Sequence, residues 1–206
     1  MYEVITKVAP NIPEEVIKLW LLPFANERGF PPPSTDKWDI KITGETIAFW
    51  NDACWDKVNI DLSSIEYSKS YFDVMRGLND AYNRGVKNDY WEHLGEDGKK
   101  RYNSFLVYIL KNRKFPQPPI LTINDVGKYE VLDGNHRFFG FVSAEKIYAE
   151  LKSASPEQKQ SFLKTLKVLT VEPPHITQEV WVCKPKWENS QNAKTRACLR
   201  SAGFGD

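Results

Sequence analysis

The feature that most constrains this chain lies past its midpoint. Pro118, Pro119, Ile120, Leu121, Thr122 and Ile123 form a short apolar run, Asn124 to Gly127 a turn, and Lys128 to Leu132 a second run. Two short runs around a glycine-ended turn predict a strand–turn–strand unit. Asp133-Gly134-Asn135-His136-Arg137 follows at once. Behind it Phe138, Phe141, Val142, Ile147, Tyr148 and Leu151 recur at helical spacing. Strand, tight loop and helix must follow one another without a linker. Residues 115–185 therefore read as a compact α+β unit.

The flanking sequence fills in around this unit. Ser155-Pro156-Glu157-Gln158 predicts a further helix opened by a capping box. Val168 to Val171 and Glu179 to Cys183 are strand candidates. Residues 1–114 read as a mainly helical region with one hairpin. A first helix opens at Pro13 and stops before Pro23. Alternation over Trp38 to Phe49, around Gly44, predicts the hairpin. Helices are expected over 70–84, stopped by Gly85, and over 97–112. Pro31 to Pro33 suggest a rigid extended connector. Residues 186–206 read as a polar tail.

Charge and cysteine usage exclude several classes. Lys and Arg number 28 against 27 Asp and Glu, a net charge of +1. A protein that grips DNA mainly through phosphates needs a basic excess. Three separated cysteines, Cys54, Cys183 and Cys198, form no CxxC pair and no Cys/His cluster, against a disulfide framework or structural zinc. No apolar run approaches the roughly 20 residues of a membrane span. The expected setting is the cytoplasm, with no membrane partner.

One stretch carries chemistry. Gly134 permits a tight turn or a close approach to a ligand. The first amides of the next helix are donors without helical partners, and the helix dipole makes their surroundings favour an anion. Arg137 offers a charged fork for phosphate, and His136 a hydrogen bond or a mobile proton. Asp133 suits a metal ligand, an orienting partner or a turn anchor. The same residues also read as a plain turn with Asp133 as helix cap.

These residues, from Pro119 through Arg137 and the helix behind them, resemble the core of the ParB/sulfiredoxin superfamily. The resemblance covers about residues 115–150. It implies a small mixed sheet with packed helices. It also implies binding of a nucleoside triphosphate, ATP or CTP with Mg²⁺, at Gly134, Asn135, His136 and Arg137. His136 and Asp133 are then the catalytic candidates, with Asp133 near the magnesium. Members hydrolyse CTP while clamping DNA, repair oxidised cysteine with ATP, phosphorylate free serine, or act as nucleases. Sulfiredoxins carry a cysteine where this chain has Asn135, so thiol-based repair is set aside. Partition proteins carry an arginine-rich second box and a helix-turn-helix region after the core; here the helix continues Phe138-Phe139-Gly140-Phe141 rather than with more arginines, so a full partition clamp is not expected.

The expected function is a nucleotide-dependent phosphotransferase or hydrolase acting on an unidentified acceptor. The alternatives are a ParB-like DNA-binding protein or nuclease, and a non-catalytic nucleotide-gated interaction protein. For the DNA reading, Lys99, Lys100, Arg101, Lys111, Arg113 and Lys114 would form a basic rim. The reading preferred for them is a solvated helix end, where basic residues favour the dipole. Glu130, Glu3, Glu14 and Glu15 are candidate bases, with Glu130 expected to be solvated. His93 and His175 are expected to be structural or exposed. Neither a P-loop nor a dinucleotide-binding glycine motif is present.

Overall fold

A computed structural model describes residues 1–28, 47–62, 65, 77, 80–81, 85–93, 95–123, 127–167 and 170–186. Four expectations fall largely outside them: the Pro31–Pro33 connector, the first arm of the hairpin, most of the 70–84 helix, and the tail from 187. The described part is α+β, with a four-stranded mixed sheet. It divides into two compact units. The first holds Met1–Val58, Ile120–Asp133 and Val180 onward, and the second holds Asn59–Pro119 and Gly134–Glu179. Neither coincides with residues 115–185.

The first unit opens with helix α1 (Tyr2–Val8). Helix α2 follows as three continuous segments, Glu14–Val16, Ile17–Leu21 and Leu22–Arg28. The expected stop before Pro23 is corrected, because the helix runs through it. A proline ring clashes with the carbonyl four residues back. Here the turn Ile17–Leu21 widens into a π-turn, with the Leu22 amide bonded to the Ile17 carbonyl. That widening takes up the proline.

The second hairpin arm is also corrected: Ile47–Asn51 is a helix, α3. Phe49 and Trp50 are adjacent and both buried in the same core. A strand would send them to opposite faces, whereas a helix seats both. Strand β1 (Cys54–Asp61) then follows, where no strand was expected. Strands β2 (Ile120–Ile123) and β3 (Tyr129–Asp133) pair antiparallel, as their sequence predicts. Strand β4 (Thr177–Lys184) lies parallel to β2, with Leu121 opposite Val182, and the sheet order is β1-β4-β2-β3. The core joins Ile5, Trp20 and Leu21 to Trp50, Ile120 and Cys183. Trp20 meets Trp50 edge-on at 5.8 Å, an arrangement worth about 1 kcal/mol beyond area burial.

The second unit contains a short helix α4 (Asp89–His93) and helix α5 (Gly95–Asn112). Helix α6 (Asn135–Ser153) packs along α5. Gly140 lets the two backbones approach, and a Cβ there would stand 3.2 Å from the Leu106 amide nitrogen. Buried Tyr102 and Ser143 share a hydrogen bond across the pair. Helix α7 (Pro156–Leu166) opens on the expected capping box: Ser155 accepts from the Gln158 amide, and the Gln158 side chain accepts from the Ser155 amide. Thr170 and Val171 lie in no strand, so that part of the 168–171 expectation fails. The C-terminal end of α5 is tied down by buried Gln178. Its amide donates to the Arg113 and His175 carbonyls, and its Oε1 accepts from the Phe115 amide.

Candidate functional site

Asp133 is the last residue of β3, in register with Ile120. It is half-buried and is not the helix cap, so the Asp133-cap reading is corrected. The cap is Gly134, held left-handed at φ 106° and ψ 20°. Only glycine adopts that conformation readily. The Gly134 carbonyl accepts from the Arg137 amide at 2.8 Å and the Phe138 amide at 3.0 Å, which starts α6. No side chain caps this opening, and its first turn carries no acid. The contrast is internal: α5 begins with Glu96 and Asp97, and α7 with a capping box and Glu157.

The side chains of the loop diverge. Asn135 is exposed at the mouth of the helix. His136 is half-buried, with its Nε2 shut off from solvent and its ring edge-on to Phe139 at 6.5 Å. Arg137 is only 7% exposed. Its Nη1 donates to the Pro118 carbonyl at 2.8 Å and the Gln117 carbonyl at 3.3 Å. The guanidinium lies against Gly134: a Cβ there would stand 3.1 Å from Arg137 Nε and 2.8 Å from Pro119 Cβ. The loop residues are consecutive, yet among their side chains only that of Asn135 is exposed, and Gly134 itself is buried. Sequence reading missed Gln117 and Pro118 as anchors. Their one signal is the proline pair that fixes an extended carbonyl row just before β2.

The six basic candidates do not form one cluster. Lys99 pairs with Glu92 and Glu96, and Arg113 with Glu172 and the Pro173 carbonyl. Lys100 and Arg101 are exposed on the early turns of α5, and Lys111 and Lys114 are exposed at its far end. Twelve residues of helix separate Lys99 from Lys111, about 18 Å at the usual rise.

Of the candidate bases, Glu130 is exposed, as expected. Glu14 pairs with Lys18 and Glu15 with Lys57. The Lys18 hydrogen bond, then its charge, holds the Glu14 carboxyl below its ordinary value. A carboxylate held down in this way is a weaker proton acceptor. His175 is exposed and its backbone joins the Gln178 staple. Cys54 is exposed and Cys183 buried, where desolvation, then the Cys54 charge, pushes the thiol far up. Among the described residues no three His, Cys, Asp or Glu side chains gather as metal ligands. No described helix is long and apolar enough to cross a membrane. No protein-family model, curated protein or solved structure matches the chain.

Proposed function

We propose that this protein binds a phosphate ester, most simply a nucleoside triphosphate with its Mg²⁺, at the opening of α6, and transfers or hydrolyses its terminal phosphoryl group in the manner of ParB/sulfiredoxin-type proteins. The observation that carries this reading is the opening itself. A 19-residue helix begins on a left-handed glycine with no side-chain cap and no acid in its first turn. Its first turn holds His136 and Arg137 instead. Backbone amides and the dipole then favour an anion at that end. Arg137 serves from within: tied to the Gln117 and Pro118 carbonyls, it adds fixed positive charge and holds the loop, rather than reaching out as a fork. In this reading His136 would supply the imidazole that takes up and releases a proton near neutral pH. Asp133, next along the chain, would orient the loop or meet a cation brought by the phosphates.

The test avoids Arg137, whose loss would also break the loop. Asn135→Asp adds a negative charge at an exposed first-turn position, which the apo helix tolerates well. We expect ATP, CTP, GTP or ADP with Mg²⁺ to raise the thermal midpoint of the wild type. A ligand at 100 times its Kd adds about 2.7 kcal/mol. Asn135→Asp should weaken that ligand at least about tenfold, since like charges a few ångströms apart cost over a kcal/mol. Radiolabelled γ-phosphate would then show whether the group passes to water or to an acceptor. A nucleotide that binds both proteins equally, or none that binds either, sinks the reading.

A further inference from the structure

A cavity of about 360 Å³ lies at the other end of α6. Tyr148, Leu151 and Lys152 of α6, Lys159 and Leu163 of α7, and Thr170 and Val171 line it. Asn135 and Tyr148 are thirteen helical residues apart, about 20 Å, so this cavity is separate from the phosphate opening. Its composition is specific. Leu151, Leu163 and Val171 are half-buried and make an apolar floor. Lys152 is exposed and Lys159 half-buried, and both line the cavity. Neither ammonium has a carboxylate partner among the described residues. Both cations line one hollow with an apolar floor, and an anion seated there would be attracted by both.

The chemistry narrows the ligand. Lysines act as point charges with no geometric demand, so a single carboxylate head suits the pair. The opening of α7 is already satisfied by Ser155 and Glu157. At about 30 Å³ of liquid per water, the cavity equals about a dozen waters. It fits one charged head and an apolar body of roughly ten heavy atoms. We propose that this cavity binds a medium-chain fatty carboxylate, its tail on Leu151, Leu163 and Val171 and its head between Lys152 and Lys159, with the Tyr148 and Thr170 hydroxyls in reach.

Isothermal titration of the full chain with octanoate tests this, with octanol and acetate as controls for charge and tail. We expect saturable one-to-one binding of octanoate, with both controls at least about tenfold weaker. Lys152→Ala with Lys159→Ala should cost roughly tenfold, because each exposed charge contact is worth up to about 1 kcal/mol. Leu163→Trp, which fills the floor, should abolish binding. The thermal midpoint of each variant checks that it is folded, and the lysine pair alone decides if Leu163→Trp is not. Absence of saturable binding overturns the proposal. So does octanol binding as tightly as octanoate, or octanoate binding that the lysine substitutions leave unchanged.

Discussion

Gly134 is constrained twice over. Its φ of 106° lies where a side chain is strained, and a Cβ would press Pro119 and the Arg137 guanidinium. The first cost is about 1–3 kcal/mol for a non-glycine residue, and the crowding adds to it. Gly134→Ala should therefore lower stability by about 2–4 kcal/mol, read as a fall in the denaturant midpoint at constant slope. A loss under about 0.5 kcal/mol, the size of an ordinary surface change, would mean the loop can rearrange. Thr122 makes the opposite case. It is buried in β2, and its Oγ1 has no hydrogen-bond partner among the described residues. Thr122→Val removes an unsatisfied hydroxyl at similar volume and should stabilise by about 1 kcal/mol. A loss on denaturant titration would show that the hydroxyl has a partner. At this scale the sequence was informative about residue type and silent about direction. Asp-Gly-Asn-His-Arg announces a strand-to-helix turn. It does not show Arg137 turning inward to the carbonyls of Gln117 and Pro118, because those partners lie twenty residues upstream.

Elements were legible where local chemistry fixes them. Ser155 and Gln158 form their capping box inside four residues, so pattern and structure agree. Helix α5 and strands β2 and β3 follow from apolar spacing in the same way. The misses have a common cause: a neighbour outside the window decides. The core draws in both Phe49 and Trp50 and makes helix of an alternating stretch, and a π-turn carries α2 past Pro23. The cap of α7 yields a prediction with a pH dependence. The Ser155 hydroxyl lies 2.7 Å from the Glu157 carboxylate. That bond, then the Glu157 backbone amide, holds the carboxyl below its ordinary 4.5. A carboxyl depressed in the folded state adds stability above its unfolded value and loses it as pH falls through the folded value. Ser155→Ala should cost about 1 kcal/mol at neutral pH through the lost cap. It should also flatten the acid limb below pH 4.5, measured as the denaturant midpoint against pH. An acid limb parallel to that of the wild type would separate Glu157 from the cap.

At the scale of the whole chain, local pattern reveals strands but not their partners. The parallel pairing of Ile120–Thr122 with Trp181–Cys183 joins segments sixty residues apart. It seats them in the same core as Ile5 and Trp20, which is why a boundary drawn at 114/115 does not follow the compact units. Whole-molecule charge is the property that the sequence reports without such help, and it bears on the nucleic-acid alternative. The chain carries a net charge of +1. Of the six basic residues of 99–114, Lys99 and Arg113 are engaged with acids. Each single-strand phosphate contact contributes about −0.7 to the slope of log affinity against log salt, so four remaining cations give at most about −3. Even that requires both ends of an 18-residue helix to touch one strand. We therefore expect a short single-stranded DNA to bind weakly at low salt and not measurably at physiological salt, by fluorescence anisotropy. Lys111→Ala with Lys114→Ala should leave the nucleotide-induced thermal shift unchanged. A slope steeper than about −3, with affinity retained at physiological salt, would require a basic surface beyond this helix and would favour the nucleic-acid reading over the nucleotide one.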